Sequence, residues 1–234
     1  IVGVDCSILM NPRVWEASGH VQSFTDPMVD CLQCRGRFRA DHIVNNQCPT
    51  CGTKDKFTET RHFNLMFKTS QGVTEDSSAL VYLRPETAQG IFTNFKNVVD
   101  SFSPDLPFGI AQQGKAFRNE ISPRDFVFRS REFEQMEIEY FVDPENWEAE
   151  FEKWVSDIAD FLDVLGLPKD SIHNLEVEEA DRAHYSKRTI DVEYDFPHGR
   201  DELLGLAYRT DFDLMNIQNN SGKKMEYRMK DGSK

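Results

Sequence analysis

Hydrophobic and polar residues alternate with a period of two in several stretches of the chain, which is the pattern of half-buried β-strands. The clearest case is residues 133–141, and a shorter run of β-favouring residues covers residues 117–121. Turn-forming residues 122–125 follow the shorter run. We therefore predict two strands joined by a loop, with one apolar stripe that faces the core. That stripe consists of Met136, Ile138 and Tyr140.

The other faces of these two strands collect polar and charged side chains. Because successive residues of a strand point to opposite sides, Arg118 and Glu120 share one face of the first strand. An arginine fork suits phosphate oxygens, a carboxylate accepts from an exocyclic amine, and an aromatic ring stacks on a base. These side chains predict a site for a nucleotide and an amino acid, although an amphipathic hairpin with a salt-bridged solvent face fits the same pattern. The shared face of the second strand carries Phe133, Gln135, Glu137 and Glu139.

Apolar residues at helical spacing predict two longer helices. The first opens at residues 84–87 with Pro85 in its first turn, and its apolar face extends to Phe102. The second covers residues 147–165 and ends where Gly166 interrupts the pattern. Further strands are predicted at residues 1–4, 63–69, 81–83, 107–112 and 190–196, and Arg209, Asp211 and Asp213 are predicted to share one strand face.

The composition is that of an acidic globular protein. The chain has 234 residues, of which 39% are hydrophobic, and a net charge of −13, which argues against an independent nucleic-acid-binding module. No apolar run approaches the length of a membrane span, and the first residues lack the basic region of a signal peptide. We therefore expect a cytoplasmic protein with no membrane association. Because the chain starts without Met inside a predicted strand and ends in a polar stretch, we expect it to be part of a longer protein.

Four of the five cysteines form two CxxC pairs separated by thirteen residues. Each pair allows two thiolates to converge on one ion, and two pairs complete a closed tetrahedral site. We therefore predict a structural zinc ion, while four reduced thiols or two disulfides remain the alternatives. The predicted ligands are Cys31, Cys34, Cys48 and Cys51, and Cys6 is expected to pack as a small apolar residue.

An ordered series of motifs resembles the homodimeric glycyl-tRNA synthetases, a family of class II aminoacyl-tRNA synthetases. The segments FRNE and FRSREFEQMEIEYF resemble motif 2 of that class. A lone RxE would carry no information, but the series is ordered and specific. The other matching segments are MNPRVWEASGH, DPMVDC, RFRADH, FNLMFKT, YLRPETAQGIF, PFGIAQQGKAFRNE and RTDFDL.

The resemblance implies an α+β fold, with an antiparallel β-sheet flanked by helices and a small zinc-knuckle insertion. It implies that residues 1–30 begin a catalytic domain, residues 31–52 form the zinc knuckle, residues 53–218 continue the catalytic domain with motif 2, and residues 219–234 form a tail before motif 3. The implied reaction is the activation of glycine by ATP to glycyl-adenylate, followed by transfer to tRNA(Gly). The implied cofactors are ATP, Mg²⁺ and Zn²⁺, and the implied assembly is a homodimer.

The resemblance also implies roles for individual residues. Arg118, Glu120 and Arg131 would carry catalysis: Arg118 would hold the α-phosphate and the glycine carboxylate, and Glu120 would read the adenine amine. Phe133 would stack on adenine, Arg129 and Arg131 would steady the triphosphate, and Glu202 would support magnesium. The implied ATP site consists of Arg118, Asn119, Glu120, Phe128, Arg129, Ser130, Arg131, Glu132, Phe133, Glu202 and Leu203. The implied glycine site consists of Arg39, Glu86, Phe133, Glu134, Gln135, Met136, Glu137 and Arg209.

Several features leave other interpretations open. Leu204 departs from the ELWG segment of the family, and the loop between the two cysteine pairs is shorter than expected, so that residues near Asn45 are expected to be missing. Glu86 also fits a helix-start acid, and a single histidine such as His20 is more often structural than a ligand. Because motif 3 and an anticodon-binding domain are absent, we expect weak or no aminoacylation by this chain. An inactive synthetase-like paralogue and a zinc-organised interaction module are the alternatives.

Overall fold

The computed structural model describes residues 1–73, 76–229 and 232, and within these residues no helix is long and apolar enough to cross a membrane. The described helices are α1 (Pro12–Ala17), α2 (His20–Ser23), α3 (Ala88–Phe102), α4 (Trp147–Val164) and α5 (Phe212–Ser221). The described strands are β1 (Val2–Gly3), β2 (Leu9–Met10), β3 (Thr25–Asp30), β4 (Arg37–Arg39), β5 (Arg61–Asn64), β6 (Lys68–Ser70), β7 (Leu80–Leu83), β8 (Phe108–Phe117), β9 (Glu132–Phe141), β10 (Ile172–Glu176), β11 (Arg188–Phe196) and β12 (Gly199–Tyr208).

The chain divides into two compact units. The first unit comprises Val2–Asn94 and Ile110–Ile138, and the second comprises Ile1, Phe95–Gly109 and the chain from Glu139 onward. Three described sheets have the strand orders β1-β8-β9, β2-β7-β6 and β4-β3-β5, and a fourth has the order β10-β11-β12. β1 pairs with β8 in parallel, so the sheet expected to be antiparallel is mixed at this edge.

The first predicted strand of motif 2 lies earlier in the chain than expected. β8 ends at Phe117, and the next residues leave the sheet: the Asn119 N–H donates to the Leu65 carbonyl at 2.8 Å, and the Glu120 N–H donates to the Arg118 carbonyl. The predicted strand at residues 117–121 is therefore wrong beyond Arg118, whose N–H still donates to the Arg131 carbonyl, because Asn119 bonds to Leu65 and Glu120 bonds back to Arg118. The predicted strands at residues 107–112 and 133–141 are confirmed as parts of β8 and β9.

The predicted burial of the apolar stripe on β9 is wrong at Met136 and Ile138, whereas Tyr140 is half-buried and packs edge-on against Trp154. Met136 is 69% exposed and Ile138 is 43% exposed. The opposite face is the more buried one, because Gln135 accepts from the N–H of the fully buried Thr87 and Glu137 accepts from the Thr87 hydroxyl. Alternation identified the two faces correctly, but polar side chains with buried partners reversed which face turns inward.

Helix α3 begins at Ala88 rather than at residues 84–87, so the predicted helix start with Pro85 in its first turn is wrong. The side chain of Arg84 is buried at 2% exposure and donates from Nε to the Lys115 carbonyl at 2.7 Å and from Nη1 to the Cys6 carbonyl at 2.6 Å. These bonds tie the extended segment before the helix to its neighbours. The apolar face of α3 is confirmed at Ile91, Phe92, Phe95 and Val98, whereas Phe102 is exposed.

Gly114 leaves the space that the Arg84 guanidinium occupies. A Cβ at Gly114 would lie 2.5 Å from Arg84 Nη2, and the rigid guanidinium could not retreat without losing its two carbonyl bonds. We expect Gly114→Ala to destabilise the protein by about 1–3 kcal/mol, which lowers the melting temperature by roughly 3–10 °C. Thermal unfolding followed by circular dichroism measures this shift.

Gly3→Ala is the matched control, since nothing lies within 4 Å of a Cβ built at Gly3. We expect its melting temperature to stay within about 1 °C of the wild-type value. Equal melting temperatures for the Gly114 and Gly3 variants would contradict the overpacking argument.

The predicted strand at residues 63–69 is split into β5 and β6. Asn64 breaks it, because its side-chain Oδ1 accepts from the Met66 N–H at 2.8 Å while its Nδ2 donates to the carbonyls of His20 and Val21. Such local side-chain bonds compete with a continuous ladder. The strand predicted at residues 81–83 is confirmed within β7.

The second unit packs α4 against the β10-β11-β12 sheet. Phe151 and Leu162 of α4 form a buried cluster with Ile190 and Val192 of β11. The predicted helix at residues 147–165 and the predicted strand at residues 190–196 are confirmed, and the chain leaves the helix at Gly166 with φ +77°. Only glycine adopts this left-handed conformation without strain, which explains why the pattern stops there.

The predicted strand face of Arg209, Asp211 and Asp213 is wrong. β12 ends at Tyr208, Thr210 has φ +56°, and α5 begins at Phe212. The Arg209–Asp213 pairing stands at helical spacing and stabilises this turn. The predicted tail at residues 219–234 overlaps α5 up to Ser221, and Lys230, Asp231, Ser233 and Lys234 lie outside the described residues. The other domain boundaries stay predictions.

Candidate active site

Arg118 lies at the centre of the polar site in the first unit. Its guanidinium lies over the rings of Phe24 and Phe133, at 5.5 and 5.2 Å from their centroids, and its Nε donates to the Pro85 carbonyl at 3.1 Å. Among the described residues, the two terminal nitrogens of Arg118 have no hydrogen-bond partner. The arrangement fixes the plane of the guanidinium and leaves donors for an anion.

Glu120 is a buried carboxylate with unused acceptor capacity. It is 5% exposed, its Oε1 lies 3.8 Å from Arg129 Nη1, and its Oε2 has no hydrogen-bond partner in the described parts of the chain. The Glu120 carbonyl accepts from Arg131 Nε and Nη2 at 3.2 and 3.0 Å. A buried carboxylate oxygen without a donor is costly, so this geometry favours a ligand that supplies an N–H group.

The carboxylate of Glu86 is held from two sides. Its Oε2 lies 3.4 Å from His20 Nε2, and its Oε1 accepts from Gln89 Nε2 at 3.4 Å. His20 Nδ1 lies 2.8 Å from the hydroxyl of Ser18. The two partners fix the direction of a carboxylate that is about one-fifth exposed and able to receive a cation.

Gln135 and Glu137 share the inward face of β9 with Phe133. Both contact Thr87, which directly follows Glu86 in the chain. The structure therefore links Glu86, Gln135 and Glu137 through a single buried residue, and it brings together most of the predicted glycine-binding side chains of the first unit.

The other predicted site residues of motif 2 differ in how far they are exposed. Glu134 and Met136 are exposed on the face of β9 opposite to Gln135 and Glu137, so the structure does not bring these two together with the rest. Glu132 is exposed and forms an ion pair with Lys115. The other predicted members are Asn119, which is half-buried, Ser130, whose hydroxyl donates to the Glu132 carbonyl, and Phe128, which is half-buried at the end of the loop.

Arg39 is fixed between two carboxylates. Its Nη1 forms an ion pair with Asp26 at 2.8 Å, and its Nε and Nη2 donate to both oxygens of Asp41. The hydrogen bonds from Arg39 hold the pKa of Asp41 below its usual range. The pKa of Arg39 is raised, mainly by its hydrogen bonds with Asp41 and to a lesser extent by the charges of Asp26 and Glu120. Arg39 is therefore electrostatically coupled to the motif 2 carboxylate.

The four cysteines of the two CxxC pairs converge on one point. Their ligand atoms all lie within 4.8 Å of one another, and the contacts Cys31 Sγ–Cys51 Sγ and Cys34 Sγ–Cys48 Sγ measure 3.7 and 3.6 Å. A tetrahedron with metal–sulfur bonds of about 2.3 Å has edges of about 3.8 Å. The donor set and its spacing fit a closed zinc site. Cys6 lies elsewhere, half-buried, and accepts from Asn94 Nδ2 at 3.4 Å.

The segment between the cysteine pairs contacts the motif 2 loop. His42 Nδ1 lies 3.1 Å from Arg124 Nη1, and the Ser122 hydroxyl donates to the Arg37 carbonyl at 3.4 Å. At the tip of the loop, Phe126 and Val127 are exposed. The cysteine cluster and the predicted nucleotide site are therefore neighbours within the first unit.

The other predicted site residues belong to the second unit. Glu202 and Leu203 are exposed on β12, and a Cβ at Gly205 would lie 3.3 Å from Glu202 Oε1 and 3.6 Å from Asp191 Oδ1. Burial, followed by the charge of Glu193, raises the pKa of Asp191. The paired strands thus hold two carboxylate oxygens close to the small residue Gly205.

Arg209 is half-buried in the second unit and held by a specific set of contacts. Its Nε and Nη2 donate to Asp213 at 2.8 and 3.0 Å, and its guanidinium lies 3.7 Å from the centroid of the Tyr185 ring. Although burial lowers it, the pKa of Arg209 is raised overall by the pair with Asp213. The ion pair and the ring fix the orientation of this arginine.

Sequence reasoning missed several residues that organise these sites. Arg84, Thr87 and Gln89 lie inside the quoted RPETAQG segment, and Asp26 lies inside DPMVDC, but none was assigned a role. The available signal was their polarity within otherwise apolar surroundings, since a buried polar group requires a partner. Only the structure supplies those partners.

Comparisons with known proteins agree with the motif series. The family model described as the tRNA synthetase class II core domain (G, H, P, S and T) matches residues 67–228. This range includes motif 2, the Glu86 segment and the predicted residues of the second unit, and it covers more than half of the chain.

Three similar relatives carry the same description. The glycine–tRNA ligases of Lachnoclostridium phytofermentans, Clostridium kluyveri and Geobacillus kaustophilus are 49%, 51% and 48% identical over 256, 255 and 254 residues. Each alignment covers 97% of this chain and 55% of the relative, so the chain spans about half the length of these relatives. Because each alignment is longer than the 234 residues of the chain, the relatives contain positions that this chain lacks.

Two solved structures share the fold at low sequence identity. A prolyl-tRNA synthetase from Cryptosporidium parvum, complexed with halofuginone and AMPPNP, has a TM-score of 0.61 at 14% identity and covers 93% of this chain. A cytoplasmic serine–tRNA ligase from Naegleria fowleri in complex with AMP has the same TM-score, identity and coverage of this chain. The alignments cover 36% and 38% of those chains.

Proposed function

This chain belongs to the family of class II tRNA synthetases, and from that premise we propose that it is the motif 2 part of a glycine–tRNA ligase. The proposed reaction joins glycine and ATP to form glycyl-adenylate and pyrophosphate, and then transfers the glycyl group to the terminal adenosine of tRNA(Gly). Identities of 48–51% with glycine–tRNA ligases support the choice of amino acid. The single observation that carries the proposal is the arrangement of Arg118 between two rings beside the segment that bears Glu86.

The proposed activation step is an attack of the glycine carboxylate on the α-phosphorus, with pyrophosphate leaving in line. No covalent enzyme intermediate is required, so the protein contributes positioning and charge neutralisation. The free terminal nitrogens of Arg118 would bind the α-phosphate and the attacking carboxylate. Phe133 would stack on adenine and Glu120 Oε2 would accept from its amino group, while Arg129 and Arg131 would steady the triphosphate.

The ammonium group of glycine would bind the carboxylates of Glu86 and Glu137. Both are held by neighbouring side chains, which reduces the entropy lost when the substrate binds. Selection of glycine is then a steric task, because a pocket too small for a β-carbon rejects alanine and every larger amino acid. The family resemblance implies that Arg39 reaches the substrate pocket and that Arg209 balances its charge.

Two metals are part of the proposal. Cys31, Cys34, Cys48 and Cys51 would hold zinc, which would stabilise the fold of residues 31–52. Glu202 would support a magnesium ion, since carboxylate oxygens are ligands that magnesium prefers. Magnesium would neutralise phosphate charge during activation.

The cellular context extends the same proposal. A homodimeric, cytoplasmic enzyme agrees with the family resemblance. Because the chain carries a net charge of −13, contacts to tRNA require a local basic surface or further parts of the protein. Arg124 is an exposed basic residue of the loop that leads to the proposed ATP site.

Glycine-dependent ATP–pyrophosphate exchange, together with calorimetric binding of glycine and ATP, tests the proposal. We expect both ligands to bind and each to strengthen the binding of the other, with weak exchange for this chain alone. An inactive paralogue should lose one of the two ligands, and a zinc-organised interaction module should bind neither. Full turnover by this chain would refute the expectation that it needs further parts of the protein.

Replacing Glu120 tests adenine recognition. Glu120→Gln keeps the shape of the side chain but replaces a charged acceptor with a neutral amide, so we expect about 10-fold weaker binding of ATP or AMP. GTP carries an oxygen in place of the adenine 6-amino group, so the affinity for GTP should not fall by the same factor. Calorimetric titration measures both ligands.

Glu59→Gln provides the matched control because Glu59 is exposed in the first unit and lies outside the predicted ATP and glycine sites. We expect its affinity for ATP to remain within about twofold of the wild type. If both variants bind ATP as the wild type does, Glu120 does not read adenine.

A further inference from the structure

We infer that His20 is a positioning residue of the amino-acid site and that its imidazole holds the Glu86 carboxylate in the orientation that receives the substrate ammonium group. This inference rests on the proposed function, in which Glu86 binds that ammonium. Family resemblance supplied a role for Glu86 but none for His20, and sequence reasoning favoured a structural histidine.

The imidazole of His20 has little freedom to turn. The Trp15 ring meets it nearly edge-on, with centroids 5.4 Å apart and planes at 76°, and the Phe24 ring lies 5.4 Å away on a tilted plane. Trp15 is fully buried, so it forms a rigid wall. Gly19, at φ +84°, sets the start of the short helix α2 at His20. Packing therefore aims the ring before any ligand binds.

The hydrogen-bond partners of the His20 ring determine which of its two nitrogens carries the hydrogen. A carboxylate only accepts, so a bond between Nε2 and Glu86 Oε2, which are 3.4 Å apart, requires hydrogen on Nε2. In the neutral ring Nδ1 is then an acceptor, and the Ser18 hydroxyl, 2.8 Å away, is placed to donate to it. The Glu86 carboxylate thus selects the tautomer, and the Ser18 hydroxyl, which also lies 3.4 Å from the Trp15 carbonyl, serves as the partner of Nδ1.

Two side chains confine the Glu86 carboxylate: the His20 imidazole lies at Oε2, and the Gln89 amide donates to Oε1. Each contact measures 3.4 Å, and a carboxylate offers about four acceptor positions. The Pro85 carbonyl next to Glu86 also accepts from Arg118, so the same short segment connects the groups proposed for the two ends of glycine.

Two substitutions separate the two ring nitrogens. His20→Asn places an amide near the position of Nδ1, which keeps a partner for Ser18 but cannot reach Glu86. His20→Gln extends an amide nitrogen towards the position of Nε2 and restores a donor to Glu86. We expect His20→Asn to weaken binding of the glycyl group about 10-fold, as for the loss of a hydrogen bond to a charged group, and His20→Gln to recover most of that loss.

Calorimetry with two probes measures the effect. The first probe is 5′-O-(N-glycylsulfamoyl)adenosine, a stable mimic of glycyl-adenylate, and the second is 5′-O-sulfamoyladenosine, which lacks the glycyl group. In the folded chain, His20→Asn should weaken the first probe about 10-fold and leave the second within about twofold. A purely structural histidine would instead weaken both probes together or change only the melting temperature.

A double-mutant cycle with Glu86→Gln closes the test. If His20 acts through Glu86, His20→Asn should cause no additional loss in the Glu86→Gln background. Equal binding of the glycyl probe by wild type and His20→Asn, or full additivity with Glu86→Gln, would overturn the inference while leaving the proposed function intact. A wild-type chain that does not distinguish the two probes would overturn the proposed function and the inference with it.

Discussion

Replacing Arg118 by alanine should reduce the affinity for the glycyl-adenylate mimic about 100- to 1,000-fold. The guanidinium is fixed by the Pro85 carbonyl and by the rings of Phe24 and Phe133, so its free donors are preorganised for an anion and need not reorganise on binding. Loss of one such charged contact in a shielded site typically costs two to three orders of magnitude. Competitive calorimetry with the glycyl-sulfamoyl probe measures the change.

The Arg118→Lys variant should recover little of this loss. Arginine has a planar guanidinium, in which Nε is anchored while the two terminal nitrogens remain available for the ligand. A lysine ammonium has no such planar group, and it does not stack between two rings in the same way. Arg61→Ala is the matched control, because Arg61 is exposed and pairs with Asp30 on the surface. The control should bind within about twofold of the wild type. Binding by Arg118→Ala within threefold of the wild type would remove Arg118 from the proposed mechanism.

Replacing Cys48 by serine should release the metal and destabilise the first unit. The wild-type chain should contain about one zinc ion, measured by elemental mass spectrometry, because four thiolates at tetrahedral spacing bind zinc with a free energy on the order of 10 kcal/mol or more. With three thiolates, we expect the zinc affinity to fall about 1,000-fold or more and the melting temperature to drop. A colorimetric metal indicator that binds the zinc released from the protein gives an independent measure of the zinc content.

Cys6→Ser is the control for this experiment. Cys6 is half-buried against Asn94 and outside the cluster, so its loss should leave the zinc content unchanged. Because Arg124 and Ser122 contact the segment between the cysteine pairs, zinc removal should also weaken ATP binding, whereas Cys6→Ser should not. A wild-type chain that folds with the same stability in the presence of a chelator would contradict the structural role of zinc.

Local patterns predicted those elements that are held by their own residues. The helix α4 followed from the apolar spacing of residues 147–165 and stopped at Gly166, where the left-handed backbone requires glycine. The cysteine cluster followed from the CxxC spacing because metal ligands must meet at fixed distances. In both cases the information is contained within a short stretch of chain.

The same reasoning failed where distant residues provide the partners. The start of α3, the end of β8 and the turn after Tyr208 depend on bonds to residues far along the chain or on one residue with positive φ. On β9, alternation separated two faces but gave no sign of which face is buried, because Thr87 supplies buried partners to Gln135 and Glu137. Tertiary hydrogen bonds therefore overrode local preference.

The sequence alone determined the family, the order of its motifs and the chemical identity of the candidate site, because these depend on which residue types occur and in which order. The tertiary structure decided that the Glu120 carboxylate is buried with one oxygen lacking a partner, and that His20 faces Glu86. Those properties arise only when segments separated by many residues pack together, since burial and hydrogen-bond partners are set by neighbours in space.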